Sequence, residues 1–414
     1  MTLNNLANAM NPVEKFYLDS FRLRRFKAVR DSGPVKLTPF TLLIGANGSG
    51  KSSLIEGLQT CYELFFSDPT AVFQRLHGFE HVFHKGSQSV RQRTTAGEPT
   101  AHSIEFDLRG RLGKGAFKSH LEIQSSGNFD HVFRALEEFA GPEGKGSSYK
   151  APTEFNAAEL SNIGWKDDDS PTGRAMQKTG RHWQFLNFSP QALGQPHPRT
   201  RRPGMVLLKE DGSNLAEILL ELAQQHPVVL EGIIQTISQV LGYGRDLQAV
   251  QTSEIDRVVY LTLTERDFKV PGWLISTGTL RVAALLAVLR HPEPPALLVV
   301  EELENGLDPR TIAVVMEIIR EAVEGKQTQV IATTHSPHLL NLASIEHLVL
   351  VERDEKGEPF FHRPGNEREV QKWAKQFAPG DLYTMNELHR LKAVRPDASV
   401  EGGEWAAQAK KLIK

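Results

Sequence analysis

The sequence predicts an α/β fold built on a parallel sheet, and three observations carry that prediction. Residues 296–300, 329–333 and 345–352 are apolar runs separated by helical stretches, the pattern of buried strands in βαβ units. Gly45, Gly50, Lys51 and Ser52 satisfy G-x-x-x-x-G-K-[ST], between an apolar strand at 40–44 and a helix that starts near Lys51. Glu301 and Glu302 directly follow the apolar run at 297–300, and ligands of open α/β sheets sit beyond such strand ends.

The bulk numbers bound the answer. A chain of 414 residues allows two to three domains, or one large α/β unit with additions. Hydrophobic content of 40% with 24% charged residues is ordinary for a globular protein. No apolar run approaches the ~20 residues that cross a bilayer, and the first 14 residues are polar, unlike a signal peptide. Cys61 is the only cysteine, which excludes a disulfide framework and a thiolate metal cluster. A cytoplasmic protein with no membrane partner is expected. A net charge of -2 gives no global attraction to nucleic acid, so any such binding rests on local basic patches.

Along the chain, residues 16–27 alternate weakly and are basic, fitting an edge strand with 35–37 returning beside it. Its cations are a solvated face; alternatively, Arg25, Phe26 and Lys27 border a nucleotide as charge and ring partners. Residues 52–66 have helical spacing, ended by Asp68 and Pro69, and 72–85 reads as a shorter helix plus loop. His81 and His84 lack further ligands nearby, so a surface or structural role fits better than a metal site. Residues 103–124 form an antiparallel hairpin with Gly110, Gly113 and Gly115 at its turn. Residues 141–180 are rich in Gly, Ser, Lys, Asp and Pro and read as a mobile surface insertion. A strand at 183–188 precedes a basic, Pro-rich loop at 196–203. Helices follow at 214–225, capped by Ser213 or Asn214, and at 228–241. Strands at 247–250, 258–264 and 268–274 come next, then helices at 277–289, 309–324 and 367–377. A basic terminal helix ends the chain. No heptad seam is long enough for a coiled-coil arm.

The chemistry of the phosphate loop follows from its residue types. Successive backbone amides converge on a polyphosphate only where side chains do not intervene, and the following helix adds its unpaired amides and dipole. Gly45, Asn47, Gly48, Ser49, Gly50, Lys51, Ser52 and Ser53 are the expected nucleotide contacts. Lys51 reaches the β- and γ-phosphates, and the Ser52 hydroxyl ligates Mg²⁺. Of the two carboxylates, Glu301 is assigned to the metal and Glu302 to the attacking water, from their order after the strand. The bland alternatives are a ligand-free glycine turn and an exposed acidic turn. His335, at the end of the next strand, is positioned to donate to the γ-phosphate or fix the water.

In their order and spacing, five pieces resemble the ABC-type ATPases of the SMC and RecF class, and more closely the small OLD-like AAA/ABC ATPases. They are the phosphate loop 45–52, a shortened signature at 276–281 (Ser-Thr-Gly-Thr-Leu-Arg), the Walker-B-like 297–302, the D-loop-like 305–309 and His335. The resemblance implies a P-loop NTPase with an ABC-type head. Such a head has a mixed, mainly parallel core sheet flanked by helices, an antiparallel β subdomain and a helical lobe with the signature. It divides the chain into residues 1–204 (first lobe), 205–365 (helical segment and second lobe) and 366–414 (C-terminal extension). It implies ATP and Mg²⁺, and two heads engaged as a homodimer or a higher oligomer of dimers. Ser276 and Gly278 of one head would contact the γ-phosphate held by the other, with Asp308 crossing the interface. Arg281 would support that contact or pack on the D-loop. Gln191, or else Gln195, both after the strand at 183–188, would serve the metal from the glutamine loop, with Gln191 preferred. Glu301 stands where most such heads have Asp, and Leu303 replaces the usual Pro.

The implied role is a DNA-maintenance or anti-phage ATPase working with a separate nuclease or effector. About sixty residues follow the last expected core strand, with no Asp-x-Asp, so a TOPRIM nuclease domain within this chain is not expected. A transporter subunit and an ATP-binding scaffold with little turnover are the alternatives. Arg22, Arg24 and Arg25, or Arg199, Arg201 and Arg202, would line any DNA groove, or else are solvated faces.

Overall fold

The structure, a computed structural model, describes residues 16–66, 69–89, 102–112, 115–125, 131–140, 146–150, 183–199, 206–242, 244–253, 256–325 and 328–388. The chain opens with β1 (Phe16–Phe26), whose Phe16, Leu18, Phe21, Leu23 and Phe26 are buried on one side. It pairs antiparallel with β2 (Val29–Asp31) and β3 (Val35–Lys36). Next come β4 (Phe40–Ile44), α1 (Lys51–Phe66), α2 (Pro69–Arg75) and α3 (Phe79–Val82). Four antiparallel strands follow: β5 (His102–Leu112), β6 (Gly115–Ser125), β7 (His131–Ala140) and β8 (Gly146–Lys150). The sheet runs β2-β1-β5-β6-β7-β8, with β3 also on β1.

Three expectations change here. β1 is not an edge strand, because β5 covers its second side over eight residue pairs from Phe16↔Leu112 to Arg24↔Glu105. Gly110 lies within β5 opposite Phe117 rather than in the turn. A Cβ there would stand 2.3 Å from the Tyr17 carbonyl oxygen, so the glycine is needed for close strand packing. Residues 146–150 of the expected insertion form β8; the rest of 141–180 lies outside the described residues.

The second half supplies the core sheet. β9 (Trp183–Leu186) is followed by β10 (His197–Pro198), α4 (Leu215–Gln225), α5 (Pro227–Leu241), β11 (Gly244–Gln251), β12 (Val258–Glu265) and β13 (Phe268–Pro271). Then come α6 (Thr277–Leu289), β14 (Leu297–Val300), α7 (Pro309–Glu324), β15 (Gln329–Thr334), α8 (Pro337–Asn341), β16 (Leu348–Arg353), β17 (Pro359–His362), α9 (Arg368–Trp373) and α10 (Pro379–Thr384). The core sheet has the order β17-β16-β4-β15-β14-β9, and every pair is parallel except β16–β17. β17, not β16, therefore closes the sheet. β10, β11, β12 and β13 make a small antiparallel sheet, with β10 inside the stretch expected to be loop. The expected helix at 367–377 stops at Trp373, and α10 follows as a separate turn of helix. The terminal helix expected beyond 395 lies outside the described residues.

The periodicities explain these elements. In α7, Ile312, Val315, Met316, Ile319 and Ala322 recur at helical spacing and are buried. α6 is buried on every side from Gly278 to Leu289, as its continuous apolar composition requires. Alternation along the core strands divides two hydrophobic cores. Leu42, Ile44, Leu298 and Val300 face α4 to α7, whereas Leu43, Leu297 and Val299 face α1 and the antiparallel sheet. Gln329, 4% exposed, ties the sheets together: its amide nitrogen donates to Leu18 O (2.9 Å) and Thr38 O (3.1 Å), and its oxygen accepts from Leu18 N (2.9 Å). The expected layout is present: a mainly parallel core sheet flanked by helices, a separate antiparallel sheet, and helices α4 and α5 preceding α6.

Candidate nucleotide site

The phosphate loop joins β4 to α1 at the carboxyl end of the core sheet. Gly48 and Gly50 have φ of +73° and +115°, conformations that side chains rarely adopt. The loop is backed by the β16–β17 hairpin. A Cβ on Gly45 would stand 2.1 Å from Val351 O, and one on Gly50 would stand 2.8 Å from Pro359 Cβ. Arg353 donates to the Gly48 carbonyl through Nη2 (2.6 Å) and Nε (2.9 Å). Asn47 and Gly48 are exposed at the apex, and the Ser49 hydroxyl is buried without a hydrogen-bond partner. Lys51 is 7% exposed, and its ammonium donates to Gly45 O (2.7 Å) and Ala46 O (3.0 Å). Burial lowers its pKa, against the opposing pull of Glu302, Glu301 and Glu304.

Strand order brings the carboxylates to this loop. β15 lies between β4 and β14, so residues after β14 emerge close to α1's first turn. Ser52 Oγ donates to Glu301 Oε2 at 2.8 Å, joining residues 249 positions apart. Burial raises the Glu301 pKa, and the Ser52 hydrogen bond works against that rise. A hydroxyl and a carboxylate at this distance, beside a buried hydroxyl and glycines that clear the approach, fit a Mg²⁺–triphosphate. Mg²⁺ binds through one or two protein oxygens and otherwise keeps water and phosphate ligands. Among the described residues no group of three or more His, Cys, Asp or Glu could hold a metal ion.

Glu302 is exposed and has φ of +48°, which costs a non-glycine residue on the order of 1 kcal/mol. Its N–H donates to Thr333 Oγ1 (2.7 Å), its carbonyl accepts from Arg281 Nη2 (2.7 Å), and its carboxylate accepts from Asn305 Nδ2. His335 is half-buried after β15, and its backbone N–H donates to Glu304 Oε1 at 2.6 Å. The other Glu304 oxygen is buried without a partner. Glu304 was missed from sequence, although a third carboxylate two positions after Glu302 was its visible signal.

Residues 276–281 and 305–309, the expected signature and D-loop, lie together. Ser276, exposed, caps α6: its Oγ accepts from Thr279 N (3.2 Å) and contacts Thr279 Oγ1 at 2.6 Å. Gly278 is packed so closely that a Cβ would stand 2.4 Å from Gly306 O. Asp308 caps α7, with Oδ1 accepting from Arg310 N (2.9 Å) and Thr311 N (3.3 Å), and Oδ2 accepting from Thr311 Oγ1. The Thr311 bond holds its carboxyl below the usual carboxylate range.

Residues 40–341 match the family model described as "AAA domain, putative AbiEii toxin, Type IV TA system". The chain belongs to this AAA family. No curated protein matches it significantly. Among solved structures it is similar to an SmcHead bound to the C-winged helix domain of ScpA (14% identity, TM-score 0.47, 84% of this chain and 97% of that one). It is also similar to the SMC head domain from Thermotoga maritima (16%, TM-score 0.40, 84% and 98%). A third is the Smc head with an extended coiled coil bound to the C-terminal domain of ScpA derived from Pyrococcus furiosus (13%, TM-score 0.45, 87% and 100%).

Other expected contacts of the AAA domain are placed differently. Phe26 is fully buried, with its ring 6.3 Å from that of Phe106, so it offers no face to an adenine. Phe26 lies three positions after buried Leu23, out of step with the alternation of β1, and the left-handed backbone at Arg25 (φ +59°) interrupts the strand just before it. Arg25 is held by Glu105 and by Ser103, through its carbonyl and its hydroxyl (2.7 Å to Oγ). Its guanidinium is a strand-to-strand tie in this structure rather than an open phosphate contact. Gln191 is exposed in the turn after β9, its Oε1 accepting from Ser189 Oγ at 3.2 Å; Gln195 is exposed in the same turn. No helix among the described residues is long and apolar enough to cross a membrane.

Proposed function

We propose that this AAA-family chain binds and hydrolyses ATP with Mg²⁺, and that two copies complete each other's sites when ATP is bound. The observation that carries the reading is the Ser52–Glu301 hydrogen bond, which unites the phosphate loop with the carboxylates after β14. Ser52 and Glu301 would hold Mg²⁺, which supplies charge neutralisation at the β- and γ-phosphates when bound. The amides from Gly45 to Ser53 and the Lys51 ammonium bind the phosphates, Lys51 exchanging its two loop carbonyls for phosphate oxygens. Glu302 orients and polarises the attacking water, and His335 contacts the γ-phosphate or that water. Exposed Ser276 at the start of α6, with Gly278 behind it, would meet the γ-phosphate of a second copy. Asp308 would face that copy while capping its own helix, and Gln191 would approach the metal from the turn after β9.

The role as a switch for a nuclease or effector in defence or DNA maintenance rests on the sequence resemblance. The family description, which refers to a toxin and a TA system, is compatible with a defence setting. DNA contact through β1 gains no support, because Arg22 is paired with Asp31 and Arg24 with Glu105 and Asp107. Arg199 is bonded to Gln251 and Gln224 (3.0 Å each), and residues 201–202 lie outside the described residues.

Phosphate release and nucleotide binding by the purified protein test the reading. Lys51→Ala is expected to abolish ATP binding, and Glu302→Gln to keep binding while lowering turnover by at least ~100-fold. Turnover near the wild-type level in Glu302→Gln, or no ATP binding by the wild type, would contradict it.

A further inference from the structure

Glu302 occupies a left-handed backbone conformation, and a different element grips the peptide on each side of it. On the amide side, Thr333 Oγ1 accepts from Glu302 N at 2.7 Å while the Thr333 carbonyl accepts from Leu303 N at 3.0 Å. On the carbonyl side, Arg281 Nη2 donates to Glu302 O at 2.7 Å. Thr333 is 2% exposed and Arg281 4%, so both polar groups stand in the core. The Arg281 guanidinium lies 5.2 Å from the Phe188 ring centroid, its Nε is buried without a partner, and its hydrogen bond goes to a carbonyl rather than to a carboxylate. A buried cation held this way is costly next to an apolar side chain of equal volume, so stability does not account for it.

We propose that Arg281 and Thr333 are positioning residues that fix the Glu302 peptide in its left-handed turn and so aim the Glu302 carboxylate at the attacking water. The proposal rests on the reading of Glu302 given above. Both residues are buried and bond to the main chain of Glu302, and each acts through it. Their origins give the arrangement its consequence. Thr333 belongs to β15, two residues before His335, and Arg281 belongs to α6, five residues after its exposed cap Ser276. Gly278, between Ser276 and Arg281, is in backbone contact with Gly306 of the D-loop. A shift of α6 when Ser276 meets a partner's nucleotide is therefore passed to the Glu302 carbonyl through one hydrogen bond. A helix that senses the partner's site thereby sets the geometry of its own.

The experiment compares full-length wild type with Arg281→Met, which keeps the length and loses the donors, and Thr333→Val, which keeps the shape and loses the acceptor. Steady-state hydrolysis, equilibrium binding of a fluorescent ATP analogue and melting temperature are measured on each. Both variants are expected to lose kcat by ~30- to 100-fold while KM and analogue affinity stay within about twofold. Arg281→Lys and Thr333→Ser, which restore a donor and a hydroxyl, are expected to recover much of the loss. A merely structural role would instead lower melting temperature and binding together with kcat. Should Arg281→Met fail to fold, Thr333→Val decides the matter. Wild-type kcat in either folded variant, or a parallel loss of affinity and kcat, overturns the proposal. An inactive wild type overturns the ATPase reading with it, whereas an active wild type with unaffected variants overturns this inference alone.

Discussion

Lys51 and Glu301 occupy a partly desolvated corner, and burial shifts each towards its neutral form, the lysine pKa down and the glutamate pKa up. The sign for stability follows directly. The unfolded chain gives up the Glu301 proton at lower pH than the folded one, so the carboxylate costs stability above its raised pKa. That cost is absent below the ordinary glutamate range. Glu301→Gln, without nucleotide, is expected to melt at a higher temperature than wild type at pH 8. The gap should close as pH falls below about 4. An equal gap at both pH values, or a less stable variant at pH 8, would contradict this assignment. At the same scale the sequence was legible where spacing is local: residues 45–53 and the carboxylate pair are short motifs with defined flanks. It was not legible where a side chain's direction decides, as for Phe26, which is buried although it falls out of step with the alternation of β1, after the left-handed Arg25. Nor was Arg353 visible, because nothing in the sequence links it to Gly48, 305 positions away.

At the scale of elements, polar ties join the pieces that hold the site. Gln329 is the clearest, spanning from β15 to β1 and to the turn before β4 with three hydrogen bonds. Gln329→Ala would strand the buried Leu18 N–H and C=O, whose loss of partners costs about 1–3 kcal/mol each before relaxation. An overall loss of about 2–4 kcal/mol by urea or thermal unfolding is expected, and less than about 1 kcal/mol would show that the tie is dispensable. The strongly periodic elements were readable in advance: α6 and α7 match their expected bounds, because an apolar run and a 3.6-residue stripe leave little choice. β17 and β10 were not, since their pairing is set by tertiary neighbours rather than by their own pattern. β10 has two residues and includes a proline. Its place beside β12 is an edge position where a missing N–H is tolerated.

At the scale of the molecule, the proposed reaction would need residues from two copies. The phosphate loop, Glu301, Glu302 and His335 stand at the end of the core sheet, while Ser276 is exposed at the start of α6, where Gly278 packs on Gly306. A second copy binding across that face would complete the site, and ATP would favour the engaged state because both copies then share it. That central claim is tested most directly by the mass of Glu302→Gln in solution, measured by light scattering with and without ATP and Mg²⁺. The account predicts 46.2 kDa without nucleotide and twice that with it, and no such change once Ser276→Arg is added to the same chain. A mass that ATP does not alter, or wild-type turnover that Ser276→Arg leaves intact, would contradict it.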